Sequence, residues 1–240
     1  MEKVILIDSD SLLYKNIEDY DAYTDRIDEI LSEAISKSNA DFYKVFIEHP
    51  NNTTFRKIIN KTYKSNRKGK PLPFNYNEIK QYIIETYNPY VAVGAESDDY
   101  IVSTLNYINK EYPLTNVIVC ANDKDYLTYP LDYMDLYYGR YLETKSVNNK
   151  EAKFNFYLQM LMGDGADGVK CLSGVGIKTA SNMIRKCKTD LDYMKVIWAE
   201  YRSRHKSKWL AKKAIQQNYL MLKLRDDLKP CKNFDKVEFE

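Results

Sequence analysis

Nine carboxylates in this chain are spaced for cation-assisted chemistry on a phosphate. Asp8 follows the run Val4-Ile5-Leu6-Ile7, Glu48 follows Phe42 to Ile47, Glu96 follows Val91-Ala92-Val93, and Asp123 follows Val117 to Ala121. Glu96 opens Glu96-Ser97-Asp98-Asp99, Asp123 opens Asp123-Lys124-Asp125, and Gly163-Asp164-Gly165-Ala166-Asp167 supplies a further pair. Carboxylates gathered in one crevice resist ionising together, so they need a strong positive partner. A pair of divalent ions meets that need, and an oxygen-only donor set suits Mg2+ or Mn2+ better than zinc. Two such ions about 3.5–4 Å apart can activate a water and stabilise the leaving 3′ oxygen of an in-line phosphodiester displacement. Lys64 and Arg67 are suited to balancing charge on that phosphate, Arg through bidentate contact.

The elements that must position these residues follow from the same runs. Short stretches rich in Val and Ile, separated by helical patterns, read as buried strands of a parallel sheet whose carboxyl ends line a ligand crevice. Helices are predicted over Tyr23 to Ser36, Thr53 to Lys64, Tyr76 to Tyr87 and Ser97 to Lys110, with a fifth strand near Tyr133 to Tyr138. The basic stretch Ser65 to Pro73, with its glycine and two prolines, breaks any helix and reads as a mobile insertion. From Ala152 onward the pattern turns wholly helical. The expectation is an α/β core over 1–150, helices on both faces and a short arch segment at about 63–95, followed by a helical region over 151–240.

Composition narrows the function classes. The 240 residues carry a net charge of +2, but 170–232 holds 16 Lys or Arg against 5 Asp or Glu. A basic final third beside an acidic remainder suits a polyanion gripped by one part while cation chemistry proceeds in the other, although a solvated helix face would show the same charge run. Cys120, Cys171, Cys187 and Cys231 form no C-x-x-C pair and read as reduced cytosolic thiols; two His residues give a His-centred triad little support. No secretory leader or membrane span is expected.

Leu172-Ser173-Gly174-Val175-Gly176-Ile177-Lys178-Thr179-Ala180 places a glycine-rich turn before a helix, where backbone N–H groups can hold a phosphate. A P-loop is excluded because Ile177 separates Gly176 from Lys178. An EF-hand starting at Asp164 fails at Ala166, Gly168 and Val175. A plain packing corner between two helices stays open for the glycines alone.

Together these residues resemble the structure-specific 5′-nucleases: flap endonucleases, bacteriophage 5′-to-3′ exonucleases and the 5′-nuclease domain of bacterial DNA polymerase I. The resemblance spans roughly residues 3–184. It makes Asp8, Glu48, Glu96, Asp98, Asp99, Asp123, Asp125, Asp164 and Asp167 the ligands of two Mg2+ or Mn2+ ions. It also identifies Tyr63-Lys64-Ser65-Asn66-Arg67 with the family's arch-base element, so Lys64 and Arg67 reach the scissile phosphate. Tyr63 is expected to stack on an unpaired base. The glycine turn resembles the hairpin of a helix-three-turn-helix, in which Gly174, Gly176, Lys178 and Thr179 meet DNA and carbonyls near Leu172, Gly174 and Val175 hold K+. Arg202, Arg204, Lys206 and Lys208 are expected to extend the duplex track along phosphates. This chain departs from the family in carrying Glu48 where Asp is usual, and in a segment between Arg67 and Glu96 that is short for two arch helices.

The implied protein is a monomeric, cytoplasmic Mg2+-dependent 5′-nuclease, in the host cytoplasm if it comes from a bacteriophage. Its substrates would be branched or 5′-ended duplex DNA or RNA/DNA hybrid, in replication or primer removal. A PIN-type metal-dependent ribonuclease and a non-catalytic DNA-structure-binding protein are the alternatives.

Overall fold

The computed structural model of the protein describes residues 2–67, 69–136 and 144–237. Five strands are mutually parallel: β1 (Lys3–Asp8), β2 (Phe42–Glu48), β3 (Tyr90–Ala92), β4 (Asn116–Ala121) and β5 (Leu131–Asp135). With antiparallel β6 (Thr144–Val147) they run in the order β3-β2-β1-β4-β5-β6. Residues 137 and 138 of the expected fifth strand lie outside the described residues. Val4 to Ile7 are each 0% exposed, as the centre of a sheet covered on both faces requires. Ile5, Ile7, Val45 and Ile47 pack with helices α1 (Tyr20–Ser38) and α3 (Tyr76–Tyr87). Val4, Leu6, Phe46 and Val119 pack on the other face with Ile101, Val102, Leu105 and Ile108 of α4 (Ser97–Glu111).

Because β2 and β4 flank β1 on opposite sides, the winding direction changes at β1, and the crevice opens beyond its carboxyl end at Asp8. The helix expected over Thr53 to Lys64 is confined to α2 (Phe55–Ile59). Asn60 stops it: the Asn60 side chain accepts from the Thr62 N–H and hydroxyl, an Asx-type turn that competes with helix continuation. Lys64 then takes a left-handed conformation, φ 54°, uncommon for a residue with a long side chain.

The stretch after Ala152 is not wholly helical. Helix α5 (Asn149–Met162) ends in a two-stranded hairpin, β7 (Gly163–Asp164) with β8 (Val169–Lys170), before α6 (Ile177–Ile184), α7 (Asp190–Arg204) and α8 (Lys208–Leu222). A Cβ on Gly163, at φ 83°, would sit 2.2 Å from the Val169 carbonyl oxygen, so only glycine lets the hairpin close. Beyond α8 the chain returns to the sheet, and β9 (Asp235–Lys236) pairs antiparallel with Phe42 and Tyr43 at the start of β2. Lys44, buried under this strand, donates to the Asn88 carbonyl and the Asp235 carboxylate. Among the described residues no helix is long and apolar enough to cross a membrane.

Candidate metal centre

Three strand ends and one helix start assemble the acids. Asp8 is the last residue of β1; its Oδ2 accepts the Tyr126 hydroxyl at 2.8 Å. Asp10 sits two residues on, where it accepts the Glu48 backbone N–H at 3.0 Å and the Ser97 hydroxyl, joining β1, β2 and the start of α4. Glu96 caps α4, and Asp98 and Asp99 occupy its first turn, where the helix dipole favours negative charge. A cavity of about 240 Å³ is lined here by Asp8, Asp10, Glu48, Glu96, Asp98 and Asp123, with Lys64 and Arg67 in its wall.

A second group adjoins it. Asp125 accepts from Gln159 at 2.7 Å, Asp164 pairs with Lys124 at 3.1 Å, and Asp167 pairs with Arg67 at 2.7 Å. Asp123 links the groups: its ionisation is opposed by desolvation and by the charges of Asp167 and Asp164.

Protein cations already sit among these acids. Lys64 contacts Glu96 and lies 3.7 Å from Asp167. Arg56, only 2% exposed, spends all five N–H donors: two on Asp99, one on Glu96, and one each on the Met221 and Lys223 carbonyls. Two of the expected site residues are held inside this network. Asp99, 0% exposed, is committed to Arg56 and the Arg225 N–H and does not line the cavity. Tyr63 is buried, with its hydroxyl donated between Glu96 and Asp167, so its ring is not presented for stacking on a base.

The electrostatics divide by neighbour. Burial, then the Asp10 charge, pushes Asp8 up to about 7. Burial with Asp10 and Glu96 nearby pushes Glu48 up to about 7, and burial with Asp123 and Asp164 does the same for Asp125. Asp10 is raised by burial, and Asp98 is raised by burial and by Asp99. Glu96 alone is lowered: burial opposes this, but Lys64 and Arg56 outweigh it.

An acid raised in the fold is protonated there while the unfolded chain is already ionised, so stability falls as pH climbs from about 4 through about 7. Glu96 works in the opposite direction but is one group against several. In EDTA the midpoint of thermal unfolding is therefore expected to drop by about 5 °C or more between pH 5 and pH 7.5, and a divalent cation should restore it. A midpoint that is flat or rising over that range in EDTA contradicts the unbalanced acid cluster.

Among the described residues no three His, Cys, Asp or Glu side chains already converge as a preformed metal cage. Lys64 contacts Glu96, and Lys124 pairs with Asp164. The donors nevertheless fit a hard divalent cation: all are carboxylate oxygens, and most are acids whose charge is incompletely balanced by protein cations.

Two participants escaped the sequence reading. Asp10 was legible as the second acid of Asp8-Ser9-Asp10; Arg56 carried no signal, since an Arg on a short polar helix ordinarily faces solvent. Of the residues expected to meet DNA, Gly174 (φ 73°), Gly176, Lys178 and Thr179 form the exposed turn and first turn of α6, above buried Leu172 and Val175. Lys206 and Lys208 are exposed, whereas Arg204 pairs with Glu200 and Arg202 donates to the His205 carbonyl.

No family model and no curated protein matches the chain. Solved structures do. A bacteriophage T5 flap endonuclease, in a pseudo-enzyme–product complex with DNA and metal ions, matches with TM-score 0.65 and 15% identity over 93% of this chain and 89% of that one. The T5 5′-exonuclease with bound divalent zinc gives 0.65 and 18% over 92% and 89%. The catalytic core of Rad2 with a DNA substrate gives 0.56 and 10% over 98% and 82%. The chain shares the fold of these T5 and Rad2 proteins.

Proposed function

We propose that the chain is a divalent-cation-dependent 5′-nuclease that hydrolyses phosphodiesters in flapped, nicked or 5′-ended duplex DNA. One observation carries this reading: six carboxylates from the ends of β1, β2 and β4 and the start of α4 meet at one cavity that also presents Lys64 and Arg67. The likeness of fold to nucleases bound to DNA and metal ions supports it.

Asp8, Asp10, Glu48, Glu96, Asp98 and Asp123 would hold one part of a two-ion site, with Asp125, Asp164 and Asp167 completing it directly or through water. Two Mg2+ or Mn2+ ions, when bound, lower the pKa of a water and neutralise charge developing on the phosphate. Lys64 and Arg67, paired with Glu96 and Asp167, are the cations placed to take phosphate oxygens once a strand enters. The Tyr63 hydroxyl fixes Glu96 and Asp167, and Arg56 fixes the first turn of α4.

The exposed amides at the start of α6 suit a duplex phosphate, so Gly174, Gly176, Lys178 and Thr179 form the turn of a helix-three-turn-helix, with K+ on carbonyls near Leu172, Gly174 and Val175. Lys206 and Lys208 continue that track. In this reading 1–150 carries the chemistry and 151–240 grips the duplex. The protein acts as a cytoplasmic monomer in replication or primer removal, on RNA/DNA hybrids as well as DNA.

The test compares a labelled 5′-flap duplex, a nicked duplex and single-stranded RNA, each with Mg2+ and with EDTA. Product from the flap or nick with Mg2+ and none with EDTA is expected. Raising salt from about 50 to 200 mM should weaken duplex affinity by about tenfold or more, because phosphate contacts release counterions. Preferential cutting of the RNA, or tight flap binding with no product, overturns the reading.

A further inference from the structure

Gln159, on α5 one turn before the Gly163-Asp164 hairpin, carries the one buried side-chain polar atom without a hydrogen-bond partner among the described residues. The residue is 8% exposed. Its Nε2 donates to Asp125 Oδ1 at 2.7 Å, which fixes the amide's orientation, since the reversed amide would set oxygen against carboxylate. Its Oε1 is then left buried with no donor. A buried carbonyl oxygen lacking a donor has lost its hydration without compensation, so such an atom calls for a specific partner. The carboxylate at the amide's other end belongs to the group of Asp123, Asp125, Asp164 and Asp167, whose charges act on one another.

Building on the cation site proposed above, we infer that Gln159 is a positioning residue for it. Its N–H group holds Asp125 in place, and its free carbonyl oxygen accepts a hydrogen bond from a water in the hydration shell of a divalent cation bound there. Small hard cations keep several of their waters, and those waters are strong donors. Residues that orient ligands in this way typically contribute 10–100-fold to metal affinity. The amide suits the position better than a lysine or arginine, which could not accept from water, or a further carboxylate, which would add to the repulsion.

The experiment titrates Mn2+ into DNA-free protein by calorimetry, alongside thermal unfolding with EDTA and with Mn2+, for wild type, Gln159→Met and Gln159→Glu. Gln159→Met, similar in size but without the amide, should weaken one Mn2+ site by about tenfold or more. Its unfolding midpoint in EDTA should stay close to that of wild type, and its gain on adding Mn2+ should shrink. Gln159→Glu keeps an acceptor at that place but gives up the N–H group that holds Asp125, and should bind Mn2+ more weakly than wild type yet more tightly than Gln159→Met. Unchanged Mn2+ affinity in Gln159→Met, or an equal loss of stability with and without Mn2+, overturns the inference and leaves the nuclease reading standing. A wild-type protein that binds no Mn2+ overturns both.

Discussion

Asp123→Asn is expected to lower cleavage of a 5′-flap duplex by about a thousandfold, the scale on which a single preorganised electrostatic group acts in a transition state. Asp123 lines the cavity with Asp8, Asp10, Glu48, Glu96 and Asp98, and its ionisation is also opposed by Asp167 and Asp164. It is therefore the acid shared by both halves of the cluster. Asparagine preserves size and can still accept the Asp125 backbone N–H that Asp123 Oδ1 now takes at 2.9 Å. The fold should accordingly survive. Removing one of several mutually repelling charges should leave the unfolding midpoint in EDTA unchanged or raised, while the gain on adding Mg2+ is largely lost. Activity within about tenfold of wild type would show that Asp123 is not part of the chemistry.

Arg56→Ala carries the largest expected cost in stability, about 3–5 kcal/mol, because it strips a buried carboxylate of its counter-charge. For a chain of this size that corresponds to a fall of about 10 °C or more in the unfolding midpoint. Arg56, on α2, joins the first turn of α4 to two carbonyls at the end of α8, while Asp99, fully buried, would keep only the Arg225 and Glu96 N–H groups. The pair should behave as a unit. Arg56→Met combined with Asp99→Leu is expected to recover at least half of the loss, as hydrophobic replacements of buried ion pairs commonly do. Thermal unfolding of Arg56→Met, Asp99→Leu and the double variant closes the cycle. A loss for Arg56→Ala below about 1 kcal/mol would mean that the clamp contributes little.

The parts that could be read from sequence share a physical signature. β1, β2 and β4 are runs rich in apolar residues and long enough to be strands buried on both faces; Asp8 and Glu48 are the last residues of β1 and β2, and Asp123 lies two residues beyond the end of β4. Glu96 and Asp98 followed from the helix start they occupy. What stayed hidden depends on long-range packing. Arg56 and Asp99 look like ordinary polar residues until α8 closes over them. Asn60, which ends α2, competes through a side-chain turn that helical periodicity does not register. Tyr63 is one of 22 tyrosines, and nothing local separates a buried hydroxyl donor from an exposed ring. β9, two residues long, exists only because β2 offers it an edge.

The Arg56 clamp also sets an order of events during synthesis. Its partners at Met221 and Lys223 lie 165 and 167 positions downstream, so a ribosome must extend the chain that far past Arg56 before those carbonyls exist. β1 likewise waits for β4, whose pairing begins at Asn116. The growing polypeptide thus carries an unfinished sheet until β4 is made, and a half-satisfied guanidinium until the end of α8 is made. Its final cooperative closure belongs to the moments after α8 emerges, the period in which chaperone engagement and aggregation compete with folding.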